Sequence, residues 1–255
     1  MDARDELRSA GRSQGAAHRP SRRDVRRRDR RAAERSGPVS WLREIGVVLV
    51  VALLISSLLR AFVVQVFWIP SESMQDTLQV NDRIAVSRVS ARTGDIRRGD
   101  VVVFNDTLGW LSSGSESGLS GVLRRVGEFT GFVPANGEQT LVKRVIGVGG
   151  DRVTCCTAAG RITVNGVALD ETYLTSDQAP STLTFDVTVP EGSLWVMGDN
   201  RGNSADSRYH MGNGQTPFVR EKDVVGRALW VIWPTSRWAS LGGGRAVFAD
   251  VPDAR

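Results

Sequence analysis

Polar and charged residues fill the chain as far as Glu44 without any apolar stripe on which a helix could pack, and then the charge stops abruptly. From Ile45 to Leu59 runs IGVVLVVALLISSLL, uncharged, with Ser56 and Ser57 its weakly polar members. At about 1.5 Å per residue this run alone falls short of a hydrocarbon core of about 30 Å. Continuation through Arg60 as AFVVQVFWI to Ile69 makes it long enough. Arg60 can snorkel, and Trp41 and Trp68 bracket the segment as interfacial anchors. The pattern therefore predicts a disordered tail over 1–44 and a transmembrane helix over 45–67. A buried soluble helix is the competing reading, but it would lack a polar face while adjoining a disordered tail. A cleaved signal peptide would need small residues at its cut, whereas Arg60-Ala61-Phe62-Val63-Val64 is bulky.

Beyond residue 68 the apolar stretches become short and β-branched, punctuated by Gly, Asn, Asp or Pro. They are RIAVSRV at 83–89, DVVVF at 100–104, LVKRVIGV at 141–148, RITVNGVAL at 161–169, FDVTVP at 185–190, SLWVMG at 193–198 and ALWVIWP at 228–234. Such runs predict strands, and Asn165-Gly166 between two of them predicts a tight hairpin. The fold class expected for 68–255 is mainly β. Residues 105–140 break the pattern with the Gly/Ser-rich run Ser112–Gly121 and then LRRVGEFTGFVPANGE, which predicts a loop insert, with an interfacial amphipathic piece as the minority alternative.

Charge changes the picture once it is divided. The net charge of +5 and the pI near 10.0 suggest a nucleic-acid binder. Residues 1–44, however, hold 13 Arg and 7 acidic residues, and the remainder is nearly neutral, so no nucleic-acid partner is expected. Arginine before an apolar span predicts a cytoplasmic tail and an exported bulk. The run Arg22–Arg31 reads as a solvated tail or as a lipid-binding patch. Cys155 and Cys156 are adjacent, and trans neighbours lie about 3.8 Å apart at Cα, below the usual disulfide range of about 4.4–6.8 Å. Reduced or vicinally bridged structural cysteines are expected rather than a metal or redox site.

The candidate chemistry narrows to one serine and one lysine. In Ile69-Pro70-Ser71-Glu72-Ser73-Met74-Gln75-Asp76-Thr77-Leu78 the serines could simply cap a turn. A serine becomes a nucleophile only when a base takes its proton. Past the apolar segment the only histidine is His210, and no G-x-S-x-G elbow occurs, so a Ser-His-Asp triad has little to stand on. Lys143 lies inside an apolar strand, where lost hydration lowers an amine's pKa and frees a neutral base. Arginine cannot serve, and the chain has 31 Arg against two Lys, Lys143 and Lys222. A lysine snorkelling from a strand edge is the plain alternative. The run Gly198–Arg208 carries Asp199, Arg201, Asp206 and Arg208 in alternation, suited to an ion-pair network around a site.

IPSESMQDTL, RRGDVVVF at 97–104, KRVIGVGGD at 143–151 and GDNRGNSADSR at 198–208, in this order after one apolar segment, resemble the boxes of bacterial type I signal peptidases. The resemblance implies a catalytic β fold with a small β extension, reduced here to 152–192. It also implies a serine endopeptidase that removes signal peptides from preproteins exported by the translocon, anchored once in the cell membrane, without cofactor or metal. Ser73 matches the nucleophile and Lys143 the general base. Ser71 matches the hydroxyl of the oxyanion hole, and Ser204 the residue that orients the lysine. Arg144, Asp206 and Arg208 match a supporting salt-bridge network, to which Asp199 also belongs, and Met74 lines the substrate cleft, which is expected to accept small residues at the first and third positions before the cut. Asp76 and Gly149 stand where many members carry proline, which implies looser turns at both places. Two other classes compete: a self-cleaving repressor-type Ser-Lys protease, which would carry a DNA-binding domain, and a non-enzymatic membrane-anchored β module.

Overall fold

The computed structural model describes residues 38–111, 140–175, 177–212 and 214–254. Most of the expected tail (1–37) and most of the expected insert (112–139) lie outside the described residues. A helix, α1, runs from Pro38 to Phe62. Strand β1 follows at Val64–Trp68, so the helix expected over 45–67 both begins and ends earlier. Proline suits the first turn of a helix, and no Gly or Pro interrupts residues 39–45, so helical geometry carries through the last residues assigned to the tail. At the other end the β-branched Val64 and Val66 pair across to strand β2, Arg83–Ser87, from Val64↔Ser87 to Trp68↔Arg83. Trp68 is therefore a sheet residue rather than a helix-end anchor, and its indole donates to Asn81 Oδ1 at 3.3 Å. Among the described residues no helix is long and apolar enough to cross a membrane.

The rest is mainly β. After β2 come a short helix, α2 (Arg88–Arg92), and the strands β3 (Val101–Asn105), β4 (Thr140–Val148), β5 (Arg152–Cys155), β6 (Ile162–Val164), β7 (Val167–Ala168), β8 (Phe185–Thr188), β9 (Ser193–Met197), β10 (Val219–Arg220), β11 (Val224–Trp233) and β12 (Ala239–Ser240). Among the described residues they form two antiparallel sheets. The larger has the order β1-β2-β11-β3-β4-β9-β10, with β12 added to β11, and the smaller the order β7-β6-β5-β8. The hairpin between β6 and β7 turns at Asn165 (φ 51°) and Gly166 (φ 85°), the left-handed pair that a two-residue turn between twisted strands requires. Cys155 closes β5 and is joined to Cys156 by a vicinal disulfide.

Apolar burial fixes where the site can be. Phe67, Ile69, Met74, Leu78, Ile84, Val101, Val103 and Val231 pack as one cluster between the loop after β1 and the large sheet. A second cluster, with Trp195, Met197, Val153, Ile162 and Phe248, fills the space between the two sheets. Each fully buried side chain of this size contributes about 1.5–3 kcal/mol, so the loop after β1 is held by its buried positions while the residues between them face outward.

Candidate active site

Ile69, Met74 and Leu78 are buried, whereas Ser71 and Glu72 are exposed and Ser73 is half-buried. The loop's base is closed by Ile69 N–H to the Asp82 carbonyl and Asn81 N–H to the Ile69 carbonyl, both at 2.9 Å. A single helical turn, Leu78 N–H to the Met74 carbonyl at 2.7 Å, stiffens its far side. Asp76 takes φ +84°, a conformation that proline's ring forbids, so this chain's departure at that position is a different backbone path and not merely a softer turn.

Strand β4 brings Lys143 to this loop from 70 residues away: its Nζ donates to Ser73 Oγ at 2.6 Å. Lys143 is 2% exposed and lies opposite Val102 in the sheet. Burial lowers its pKa from 10.5 to about 8; Asp206 and Asp199 oppose the shift in part, and Arg208 adds to it. Ser71 Oγ lies 3.3 Å from Ser73 Oγ, on the same side of the loop. A serine hydroxyl touching a largely dehydrated amine whose pKa is lowered to about 8, and which therefore has a neutral fraction near physiological pH, is able to lose its proton, attack a carbonyl and see that proton returned to a leaving amine.

The loop after β9 supports this pair from behind. Asn200 N–H donates to the Ser73 carbonyl at 3.1 Å, and its side-chain amide to the Glu72 carbonyl at 3.1 Å. Gly198 is held at both ends, its N–H by Asp206 Oδ2 at 2.9 Å and its carbonyl by Arg201 Nε at 3.1 Å. A methyl group on Gly198 would run into the Ser73 carbonyl and Ser204 Oγ. Asp206 in turn accepts both forks of Arg208, at 2.9 and 2.8 Å. Arg144, next to Lys143 on β4, donates twice to Asp199 at 2.8 and 2.6 Å and once to the Gly99 carbonyl at 2.8 Å. All four ionic side chains are buried, so each pair is fully hydrogen-bonded where water cannot substitute.

The structure thus brings together Ser71, Ser73, Lys143, Arg144, Asp199, Asp206 and Arg208. Ser204 is buried against Gly198, but its hydroxyl has no hydrogen-bond partner among the described residues, so no bond to Lys143 is present. Three participants were not anticipated. Thr77 donates to Asp199 Oδ2 at 2.5 Å. Glu171 receives both forks of Arg201, at 2.9 and 2.5 Å, and Tyr173 donates to the same carboxylate at 2.7 Å while its ring lies 4.0 Å beneath the Arg144 guanidinium. Burial pushes the Tyr173 hydroxyl well above 10.0, which keeps it a donor. Burial would depress Arg201, but Glu171 outweighs it and holds the guanidinium charged. A partner for Arg201 could have been sought, since its loop is rich in charge. Nothing in Asp170-Glu171-Thr172-Tyr173 marks it as that partner, because it comes from the second sheet's connecting turn.

Beside Ser73 runs an apolar groove lined by Phe67, Ile69, Ser71, Met74, Leu111 and Val142. His210 takes no part in the Ser73 contact: its ring stacks on Trp110 at 4.3 Å and its Nδ1 meets Gln215 Oε1 at 2.8 Å.

A β scaffold that presents a serine to a buried lysine, with an apolar groove alongside, has the arrangement of serine hydrolases whose base is an amine. Comparison with known proteins narrows the class. The family model "Signal peptidase, peptidase S26" matches residues 42–233. A probable signal peptidase I of Mycobacterium leprae is 38% identical over 233 residues, covering 80% of each chain. The signal peptidase I of Mycobacterium tuberculosis is 39% identical over 78% of this chain and 75% of its own. Among solved structures, a signal peptidase I from Enterococcus faecalis matches with 26% identity and a TM-score of 0.33, covering 52% of this chain and 95% of that one. The chain belongs to the S26 family of signal peptidases, serine proteases that cleave signal peptides.

Proposed function

We propose that Ser73 is the nucleophile and Lys143 the general base with which this chain hydrolyses the bond between a signal peptide and an exported protein. The observation that carries the reading is the 2.6 Å contact between Lys143 Nζ and Ser73 Oγ, made by an amine whose pKa lies at about 8. Lys143 takes the hydroxyl proton as Ser73 attacks the scissile carbonyl, and returns it to the departing amine. The Ser71 hydroxyl and the Ser73 N–H receive the oxyanion. Ser204, buried against Gly198, is assigned the role of restricting where Lys143 can lie. Arg144 with Asp199, and Arg208 with Asp206, hold the two loops at fixed spacing and do no chemistry. The groove lined by Met74 takes the small side chains that precede the cut. Incubating the purified full chain in detergent with one exported precursor should yield a single mature product. Absence of cleavage over a range of precursors would sink the reading.

The membrane assignment rests on the sequence together with one structural feature. The uncharged run Ile45–Leu59 follows an Arg-rich segment, and Val48, Leu49, Leu53 and Leu54 on α1 are exposed. Exposed apolar side chains in that number are costly in water and favourable in lipid. The chain is accordingly assigned to the cell membrane as a single-pass protein with a cytoplasmic N-terminus and an extracytoplasmic catalytic part, where the precursor's own apolar segment shares the bilayer and proximity supplies part of the affinity. After alkaline extraction of membranes the chain should stay in the pellet, and release to the supernatant would refute the anchor.

A further inference from the structure

The groove has one wall with an unusual support. Leu111 is half-buried, and its backbone N–H donates to Asp106 Oδ2 at 2.7 Å, while Trp110 N–H donates to Asp106 Oδ1 at 2.8 Å. This small carboxylate-capped turn is not tied to its own hairpin alone. Trp110 is buried edge-on to Phe104, at 5.9 Å and 86°. Its other face is covered by the His210 ring, 4.3 Å away and nearly parallel at 7°. Gln215 then binds both sides of the junction, its Oε1 accepting from His210 Nδ1 at 2.8 Å and its Nε2 donating to the Gly109 carbonyl at 3.3 Å. His210 ends the short turn Ser207–His210, whose first N–H groups Asp206 caps, with the Arg208 N–H at 3.2 Å. The turn that anchors Asp206 behind Ser73 therefore also carries the prop for the groove wall.

We propose that His210 is a positioning residue for substrate selection: by stacking on Trp110 it fixes Leu111, and Leu111 sets the width of the groove that receives the side chains before the cut. The chemistry is steric. A leucine whose backbone is capped and whose neighbour is clamped between two rings cannot withdraw to admit a branched side chain, so a precursor carrying alanine there binds and one carrying valine or leucine is excluded. One methylene more or less in such a pocket is worth roughly 10–200-fold in kcat/KM. The inference rests on the dyad reading above, since it places the groove beside the reacting serine.

The test uses the full chain in detergent and one exported precursor made with Ala, Val or Leu at the first or at the third residue before the cut. Leu111→Ala should raise kcat/KM for a Val or Leu precursor relative to the Ala precursor at least about tenfold at one of the two positions. His210→Ala should shift the same ratio at the same position at least about threefold, carried by KM rather than kcat, and His210→Phe, which keeps a stacked ring, should restore the wild-type ratio. Gln215 is exposed, so Gln215→Ala should fold even if His210→Ala does not, and it should move the ratio in the same direction. Unchanged ratios in Leu111→Ala overturn the groove assignment. A shift in Leu111→Ala without one in the His210 or Gln215 variants overturns the positioning role. Ser73→Ala run in parallel separates the two levels: if it still cuts, the dyad fails, whereas dyad-dependent cutting with unmoved ratios defeats this inference alone.

Discussion

Lys143→Met and Lys143→Arg are each expected to lower precursor cleavage by at least about 10⁴-fold, and Ser73→Ala by as much, with the double variant no worse than either single one, because the two groups act as a unit. Methionine follows the lysine stem in shape and removes a buried amine, so the Lys143→Met protein should be no less stable than the parent in denaturant titration. Arginine keeps a positive charge but cannot accept a proton. The pH dependence gives an independent reading. In the proposed dyad the base is the neutral amine, and burial lowers the Lys143 pKa from 10.5 to about 8. Below that value kcat/KM should climb about tenfold per pH unit, bending to a plateau above it. A flat profile between about pH 6.5 and 9, or substantial activity in Lys143→Met, would remove the lysine from the chemistry.

Gly198→Ala has the second largest expected effect, because it acts on the position of the serine rather than on its reactivity. The added methyl group meets the Ser73 carbonyl and Ser204 Oγ, and Gly198 cannot retreat, because Asp206 and Arg201 hold its N–H and its carbonyl. The nucleophile loop must shift instead, and a displacement of about 1 Å at a reacting atom costs about 100-fold in rate. Overpacking of this kind also costs about 1–3 kcal/mol of stability, readable as a lowered midpoint of unfolding. Adding Ser204→Gly removes one of the two collisions but leaves the Ser73 backbone in place, so the double variant should not recover full activity. A Gly198→Ala protein with parental kcat would show that the two loops are not held against each other.

The strands β2, β3, β4, β6 to β9 and the later part of β11 were legible because short β-branched runs between turn residues carry their own signal, and the Asn165-Gly166 hairpin was legible because its turn demands left-handed backbone; β5 and the two-residue β10 were not among the runs read as strands. The end of α1 was not. Val63–Trp68 continues the apolar composition of the helix without a break, and only pairing with β2 decides that it is strand. The disulfide state of Cys155 and Cys156 was likewise left open between two structural readings, and the structure holds them bridged.

The candidate chemistry could be read from the chain alone: a serine just past an apolar segment, and one lysine on an apolar strand in a chain that otherwise prefers arginine. Those are properties of residue type and neighbourhood, and they survive without coordinates. It takes the three-dimensional fold to show that Lys143 Nζ and Ser73 Oγ meet at 2.6 Å, that Arg201 is paired with Glu171, and that His210 stacks on Trp110 away from Ser73. Each of these joins residues from separate strands and turns, and such partners are chosen by sheet order and burial, quantities that no local stretch of sequence contains.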